Sequence, residues 1–537
     1  MRCNDFLPAL DFVRSGLRNR GFMISRRELL LAGTALGLAP TLAQARGLVA
    51  DATYLSVIGA ALEESKRRGA SYADVRIHRR REETVKTRDD HVDGIDDSER
   101  FGVGLRVLVN GAWGFASTPN VDVREMKKLA ELATSLAKAN AAVGTRKVEL
   151  APNPAHVDVW QTALEKDPFK IPVADKAELL LAVSERLRKV KGVSFTRGWI
   201  STHLEWKLFA STDGALIEQS QTRIGPGYEA TAVHTTNGDF QSRAWDGAGL
   251  QTGWEYLEKS GFVEAAARVG EESVEKLNAP AVKPGMRDLI LDPTNLWLTI
   301  HESVGHPTEL DRALGYEANY AGTSFATPDT LGTLYASPIV TLFADKTTPG
   351  ALATVGYDDD GVRTQKWNLV EKGRFVAYQT TREQAGWIGE KASRGCSYAM
   401  DHGSVPFQRM PNVSLQAGDQ DLSTEDLIKA TEDGIYIRGA GSWSIDHQRY
   451  NFQFTGQTFH EVKHGKIVGP LKDVGYQSNS PTFWKSCDLL GGASTWQLGS
   501  AFDDGKGEPA QSNGVSHGCP SARFRGVSIL NTKEKKL

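Results

Sequence analysis

A chain of 537 residues is longer than one compact core usually serves, so two domains are expected. Its 40% apolar and 24% charged residues describe an ordinary globular protein and exclude a disordered or fibrous chain. A net charge of −3, with no long run of one sign, argues against nucleic acid or an anionic membrane as the main partner.

The N-terminus reads as an address. Arg26 and Arg27 precede an apolar run from Leu29 to Leu42, and Ala43-Gln44-Ala45 supplies small residues for cleavage. The run is short for a bilayer span and no stop-transfer pattern follows, so stable membrane insertion is not expected. Residues 1–45 are therefore read as a twin-arginine-type export signal, with Met23 an alternative start. An ordinary signal peptide with a basic start is the competing reading. Either delivers a mature chain, from about Arg46, to the periplasm or another extracytoplasmic space.

An amphipathic helix is expected from Asp51 to Arg68, with Leu55, Ile58 and Leu62 on one stripe and Gly59 weakening it. Strand-like sequence follows near Ala73–Thr84, where Arg79-Arg80-Arg81 reads as a solvated strand edge. In "VGLRVLVNGAWGFAS" the alternation of Val103, Leu105, Val107 and Val109 around Asn110-Gly111 predicts a tight hairpin. Gly102 and Gly104 lack the third glycine and the helix of a dinucleotide fingerprint. A helix capped near Asn120 or Asp122 comes next, then one over Ala174–Val190, a hairpin turning at Asp213-Gly214, and a helix over Phe262–Leu277. "NAPAVKPG", residues 278–285, is a proline-punctuated connector. Beyond it lie short alternating segments with glycine turns, such as "SPIVTLFAD", "RFVAYQTT", "GIYIRGAG" and "RGVSILNT". These predict an antiparallel sheet or barrel. The expected fold is α+β: an N-terminal α/β domain with hairpins and helices over 50–280, then a β-rich domain over 285–537.

The chemistry concentrates in "TIHESVGHPTELDR", residues 299–312. Asp292 is a suitable helix cap, Pro293 suits the first helical position, and Leu296, Trp297 and Ile300 face a core. Pro307 predicts that the helix ends at or before His306. Zinc proteases place two histidines four apart around a glutamate; here His301 and His306 are five apart. In a regular helix that separation turns the rings roughly 140° from each other, against roughly 40° for four residues. A π-bulge restores the register, eased by Gly305; the alternative is that the helix unwinds. A metal held there needs a third ligand and an open position for water, and Glu302 would be the general base.

Taken in order, "GVGLRVLVNGAWGFAST", "HESVGHPTELDR" and "GKGEPAQSNGVSHGCPSARFRG" resemble the TldD/PmbA family of metallopeptidases, over about Ala52 to Leu530. His-Glu-x-x-x-His belongs to the active, TldD-like member. The resemblance implies an N-terminal α/β domain, a β-rich C-terminal domain and one zinc ion per chain. It also implies a cysteine as third ligand, in a Cys-Gly-Lys-Gly-like stretch. The matching stretch here is "AFDDGKGEP", with Asp504 at the cysteine position. A carboxylate is a competent but harder ligand, which should weaken zinc affinity and loosen metal choice. Cys519 and His517 in "SHGCP" are the alternative third ligands. Glu309, Asp311 and Arg312 read equally as supports for the ligands or as a solvated loop. His460 and His464 read as surface residues, and no Gly-x-Ser-x-Gly elbow is present. Cys3, Cys396, Cys487 and Cys519 are too few and scattered for a disulfide framework.

The expected function is an exported zinc peptidase acting on unfolded or short peptides, working as a homodimer or as a heterodimer with a family relative. The alternatives are a catalytically impaired peptide-binding partner subunit and a metal hydrolase of non-peptide amides.

Overall fold

The computed structural model describes residues 52–144 and 146–533, so the export segment and Cys3 lie outside the described residues. Helix α1 (Ala52–Arg67) buries Leu55, Ile58 and Leu62 as its periodicity predicts. Strands β1 (Tyr72–Arg88), β2 (His91–Val109) and β3 (Ala112–Thr118) form an antiparallel meander. The β2–β3 turn places Asn110 at φ 52° and Gly111 at φ 80°, the positive pair that a tight hairpin needs. Helix α2 (Val123–Val143) starts at Asp122, whose carboxylate accepts from the amides of Arg124 and Glu125. β4 (Val157–Gln161), α3 (Val173–Arg188), β5 (Val193–Ser211), β6 (Leu216–Val233), β7 (Phe240–Ala244), α4 (Glu255–Lys259) and α5 (Ala266–Asn278) complete this half. Helix α5 starts four residues later than the periodicity suggests, because Gly261 turns the chain at φ 66° and Phe262 is buried just after that turn.

The seven strands lie in the order β3-β2-β1-β5-β6-β4, with β7 also on β6. Side chains alternate across a strand. Odd-numbered residues of β1 (Val75, Ile77 and Val85) join the apolar clusters under the helices. Even-numbered ones turn toward the second half: Arg76 donates to the Asp359 carbonyl at 3.1 Å and Arg80 to Tyr398 Oη at 3.3 Å. This corrects the reading of Arg79-Arg80-Arg81 as a strand edge. β1 lies between β2 and β5, and Arg80 is 4% exposed, paired with Glu205 at 3.2 Å.

The second half contains β8 (Gly285–Leu291), α6 (Pro293–Ile300), α7 (Leu310–Ala313), β9 (Leu342–Asp345), β10 (Lys366–Glu371), β11 (Arg374–Phe375), β12 (Ser397–Tyr398), β13 (Phe407–Gln408) and β14 (Asn412–Leu415). There follow α8 (Thr424–Lys429), β15 (Asp433–Ile445), β16 (Asn451–Lys463), β17 (Lys466–Leu471), β18 (Val474–Asn479), α9 (Ser480–Lys485), β19 (Cys487–Leu490), β20 (Gln497–Lys506), β21 (Gln511–Cys519) and β22 (Ala522–Asn531). β15 pairs with β8, β8 with β22, β22 with β18, β18 with β16, and β16 with β15, which closes a five-stranded barrel. One pair, β8–β15, is parallel, so the barrel is not wholly antiparallel. Parallel neighbours need a long crossover, and residues 292–432 supply it. That crossover carries the histidine motif.

Helix α6 packs against β15 on one side and the β20–β21 hairpin on the other. Gly499 of β20 permits this approach, since a Cβ there would lie 2.1 Å from Trp297 Cγ. Gly499→Ala should therefore destabilise the protein by about 1–3 kcal/mol, read as a lower urea midpoint. Gly505→Ala, on the same strand with nothing within 4 Å of its Cβ position, should leave the midpoint unchanged or slightly raised.

Candidate metal centre

Asp292 caps α6 by accepting from the Thr294 amide at 3.0 Å, and Pro293 follows at the first helical position. At His301 the winding changes. Residues His301–Gly305 form a π turn in which the His306 amide donates to the His301 carbonyl. The π-bulge expectation thus describes the chain, and the unwinding alternative does not. His306 keeps helical dihedrals (φ −63°, ψ −43°) before Pro307, and a 3-10 turn runs on over His306–Thr308. The helical path therefore passes the point where the proline was expected to stop it. Proline has no amide to bond, and it enters where the winding changes, so no bond of the π turn is lost. The two imidazoles end 4.6 Å apart between centroids, at 75° to each other.

Hydrogen bonds fix which nitrogen each ring presents. His517 Nδ1 lies 2.8 Å from the Val413 carbonyl, which can only accept, so the proton sits on Nδ1. Its bare Nε2 accepts from His301 Nδ1 at 2.8 Å, leaving His301 Nε2 with a free lone pair. His306 Nδ1 donates to Glu309 Oε2 at 3.0 Å, leaving its Nε2 likewise free. Asp504 Oδ1 stands 3.4 Å from His301 Nε2 and 3.5 Å from His306 Nε2. The β20–β21 register shifts between Ala501 and Asp504, a bulge of the kind that re-aims a side chain. The three site positions converge accordingly: His301, His306 and Asp504 present two nitrogens and an oxygen to one point.

The alternative third ligands are placed differently. His517 stands behind His301 and orients it. Cys519 is turned away, its Sγ 3.6 Å from the Pro293 carbonyl at the far end of α6. Burial pushes its thiol well above the usual range, helped by Asp292, so it is no thiolate. Glu309, Asp311 and Arg312 are buried rather than a solvated loop. Arg312 Nε holds Glu309 Oε2 at 3.0 Å, and Lys506 Nζ reaches Glu309 Oε1 at 3.3 Å and Asp311 Oδ1 at 2.8 Å. Arg409 donates to Asp504 Oδ2 at 2.9 Å. His464 is exposed and His460 partly buried, both away from the motif. Lys506 lies in the "AFDDGKGEP" stretch but was read there for no role, and Arg409 carries no motif; the β20–β21 hairpin delivers the first, and the loop after Phe407–Gln408 delivers the second.

Charge follows the same geometry. Burial would raise Asp504, but His306, His301 and Arg409 hold its carboxyl well below the usual range. Burial would lower His301, but the hydrogen bond and charge of Asp504 raise it. Burial and then Arg312 bring His306 down to about 4. Burial and His301 hold His517 neutral. Glu302 is 5% exposed, its Oε2 has no hydrogen-bond partner, and its carboxylate and the two imidazoles lie within 4.8 Å of one another. Two imidazole nitrogens, an ionised oxygen and a buried carboxylate whose Oε2 lacks a hydrogen-bond partner fit a divalent metal with an open position.

A pH dependence follows for chelator-stripped protein. His306 titrates near 6.5 unfolded and about 4 folded, so between these values the unfolded chain binds the extra proton. Stability from this residue is complete above pH 6.5 and is lost as pH falls toward 4. Urea midpoints from pH 7 downward should fall less steeply in His306→Gln than in the parent protein.

The chain matches three family models: PmbA/TldA metallopeptidase domain 1 over residues 73–137, the central domain over 166–279, and the C-terminal domain over 284–531. A metalloprotease of Methanothermobacter thermautotrophicus is 30% identical over 483 residues, covering 90% of this chain and 99% of that one. A zinc metalloprotease TldD homolog of Saccharolobus solfataricus is 22% identical, covering 87% and 98%. Among solved structures, TldE from Thermococcus kodakarensis superposes with a TM-score of 0.65 at 18% identity, covering 88% of this chain and 99% of that one. The chain belongs to the PmbA/TldD family of metallopeptidases.

Proposed function

We propose that this protein is a zinc-dependent peptidase acting on unfolded or short peptides, with His301, His306 and Asp504 as the metal ligands. The observation that carries this reading is the convergence of His301 Nε2, His306 Nε2 and Asp504 Oδ1 beside the orphaned Glu302 carboxylate. A divalent ion bound there supplies Lewis acidity, polarising a carbonyl and making a water acidic. The chain's residues do the rest. Glu302 takes a proton from the attacking water and returns it to the departing amine. His517 and Glu309 hold the two imidazoles in their ligating tautomers. The name of the Saccharolobus relative supports zinc, and the oxygen of Asp504 widens the choice toward harder ions.

Arg409 on Asp504 Oδ2 favours a second reading, a peptide-binding subunit with impaired turnover, because an ion-paired carboxylate is a weaker donor. Assembly as a dimer, with itself or with a family relative, is part of the same proposal, on the strength of the family membership. Among the described residues no helix is long and apolar enough to cross a membrane. Export by the twin-arginine-type signal stays part of the proposal, on the strength of Arg26-Arg27 and Ala43-Gln44-Ala45.

Metal analysis beside a peptide-cleavage assay tests the function. Protein purified without chelator should carry about one divalent ion per chain and cut an unstructured peptide. Glu302→Gln should keep the metal and lose turnover by at least about 100-fold, because only the proton carrier is removed. Asp504→Ala should lose metal, and Asp504→Cys should bind zinc more tightly than the parent. Wild type that takes up no zinc on dialysis rejects the reading, and metal uptake without cleavage selects the impaired subunit. For export, N-terminal sequencing of native protein should begin near Arg46, and an uncut cytoplasmic chain would reject it.

A further inference from the structure

The turn between β15 and β16 brings another buried charge to Glu302. Asp446 organises this turn, its carboxylate accepting from the Tyr450 amide at 2.8 Å and the Asn451 amide at 2.9 Å. Within it Arg449 stands at φ 59°, a left-handed conformation that side chains rarely adopt, with its carbonyl bound by Ser480 Oγ at 2.8 Å. The conformation aims the guanidinium inward, where it is 14% exposed. Arg449 Nη1 lies 3.5 Å from Glu302 Oε2, longer than a charged hydrogen bond, and Nη2 reaches the Ala321 carbonyl only at 3.4 Å. Arg449 Nε and Glu302 Oε2 both lack a hydrogen-bond partner. Two charged groups, one buried and one largely so, face each other with atoms free to take a further hydrogen-bond partner.

The surrounding charge says which kind. Four cations, Arg312, Arg409, Arg449 and Lys506, stand among five carboxylates, Glu302, Glu309, Asp311, Glu317 and Asp504. Burial pushes Glu317 up to about 7, so it is only partly ionised at neutral pH. A divalent ion at the histidines therefore leaves the cluster positive. A neutral carbonyl would use an Arg449 N–H but leave that charge in place, whereas a carboxylate answers both, through paired N–H donors.

We propose that Arg449 binds the terminal α-carboxylate of a peptide, so that the site removes single residues from the carboxyl end. The proposal rests on the peptidase reading above and narrows its substrate. Because Arg449 neighbours Glu302, a carboxylate on its guanidinium lies close to the bond being cut. Consecutive Cα atoms are about 3.8 Å apart, so only the residue just beyond that bond brings its α-carboxylate so near. In the reaction, the oxygen of a water bonds to the carbonyl carbon of the penultimate residue and the C–N bond to the last residue breaks. One proton of that water passes through Glu302 to the leaving nitrogen. The products are a peptide one residue shorter and a free amino acid.

The test is binding without turnover, using zinc-loaded Glu302→Gln and one unstructured peptide made with a free carboxyl terminus and as the C-terminal amide. By calorimetry the acid should bind about 10- to 100-fold more tightly, the range of one charged hydrogen bond. Adding Arg449→Gln should abolish that preference with zinc content unchanged, and Arg449→Lys should restore part of it. Mass spectrometry of wild-type digests should show a ladder shortened from the carboxyl end. Equal binding of acid and amide, or a preference that survives Arg449→Gln with zinc bound, overturns the proposal. Internal cleavage of the amide by wild type would also overturn it while upholding the peptidase reading. A wild type that binds no zinc and cuts neither peptide removes that broader reading instead.

Discussion

The site depends on one hydrogen bond, from the His306 amide to the His301 carbonyl. By spanning five residues instead of four it adds one residue to a single turn of helix, and that residue brings two otherwise diverging imidazoles to one side. Everything else assumes this geometry. Asp504 can lie within 3.5 Å of both Nε2 atoms only because they converge. Glu302, between them in sequence, is thereby held beside the same point. A strained local winding survives when its surroundings over-determine it. Here Ser303 within the turn is pinned from outside, its hydroxyl accepting from Trp484 Nε1 at 2.8 Å and its carbonyl from the Tyr335 hydroxyl.

Around that turn the protein buries an unusual density of charge, which is costly unless each group is answered. Glu309 is answered by Arg312 and Lys506, and Asp504 by Arg409. Asp311 is answered by Lys506. His517 and Glu309 are placed to set tautomers, while Glu302, Arg449, Arg409 and Glu317 each keep a buried atom without a hydrogen-bond partner. Buried polar networks gain rigidity when complete and are open to ligands where they are not.

Local signals in the sequence carried local structure. Asp292-Pro293 marks the start of α6, Asn110-Gly111 makes its hairpin, and the five-residue histidine spacing foretells the π turn, because each depends on neighbours along the chain. Asp504 was legible only through family resemblance, since nothing around it announces a ligand. Arg409 and Arg449 were illegible because loops far away in sequence deliver them, and the role of Lys506 was illegible because its partners Glu309 and Asp311 lie about 200 residues earlier. Arg80 was misread for the same cause: one sequence cannot say whether a strand is an edge, and β1 is central. The parallel β8–β15 pair was equally hidden, because it joins segments separated by the crossover that contains the motif.

The barrel's connectivity also dictates when the site can exist. Its first strand, β8, is zipped to its last, β22, and Asp504 and His517 lie on the hairpin just before β22. A nascent chain emerging from the ribosome therefore carries both motif histidines for some 200 residues of synthesis without Asp504 and His517 beside them. Premature capture of a stray cation is disfavoured until the last strands dock. Once they have, an ion held by His301, His306 and Asp504 would tie the crossover to the late hairpin and stabilise the folded half-chain by mass action.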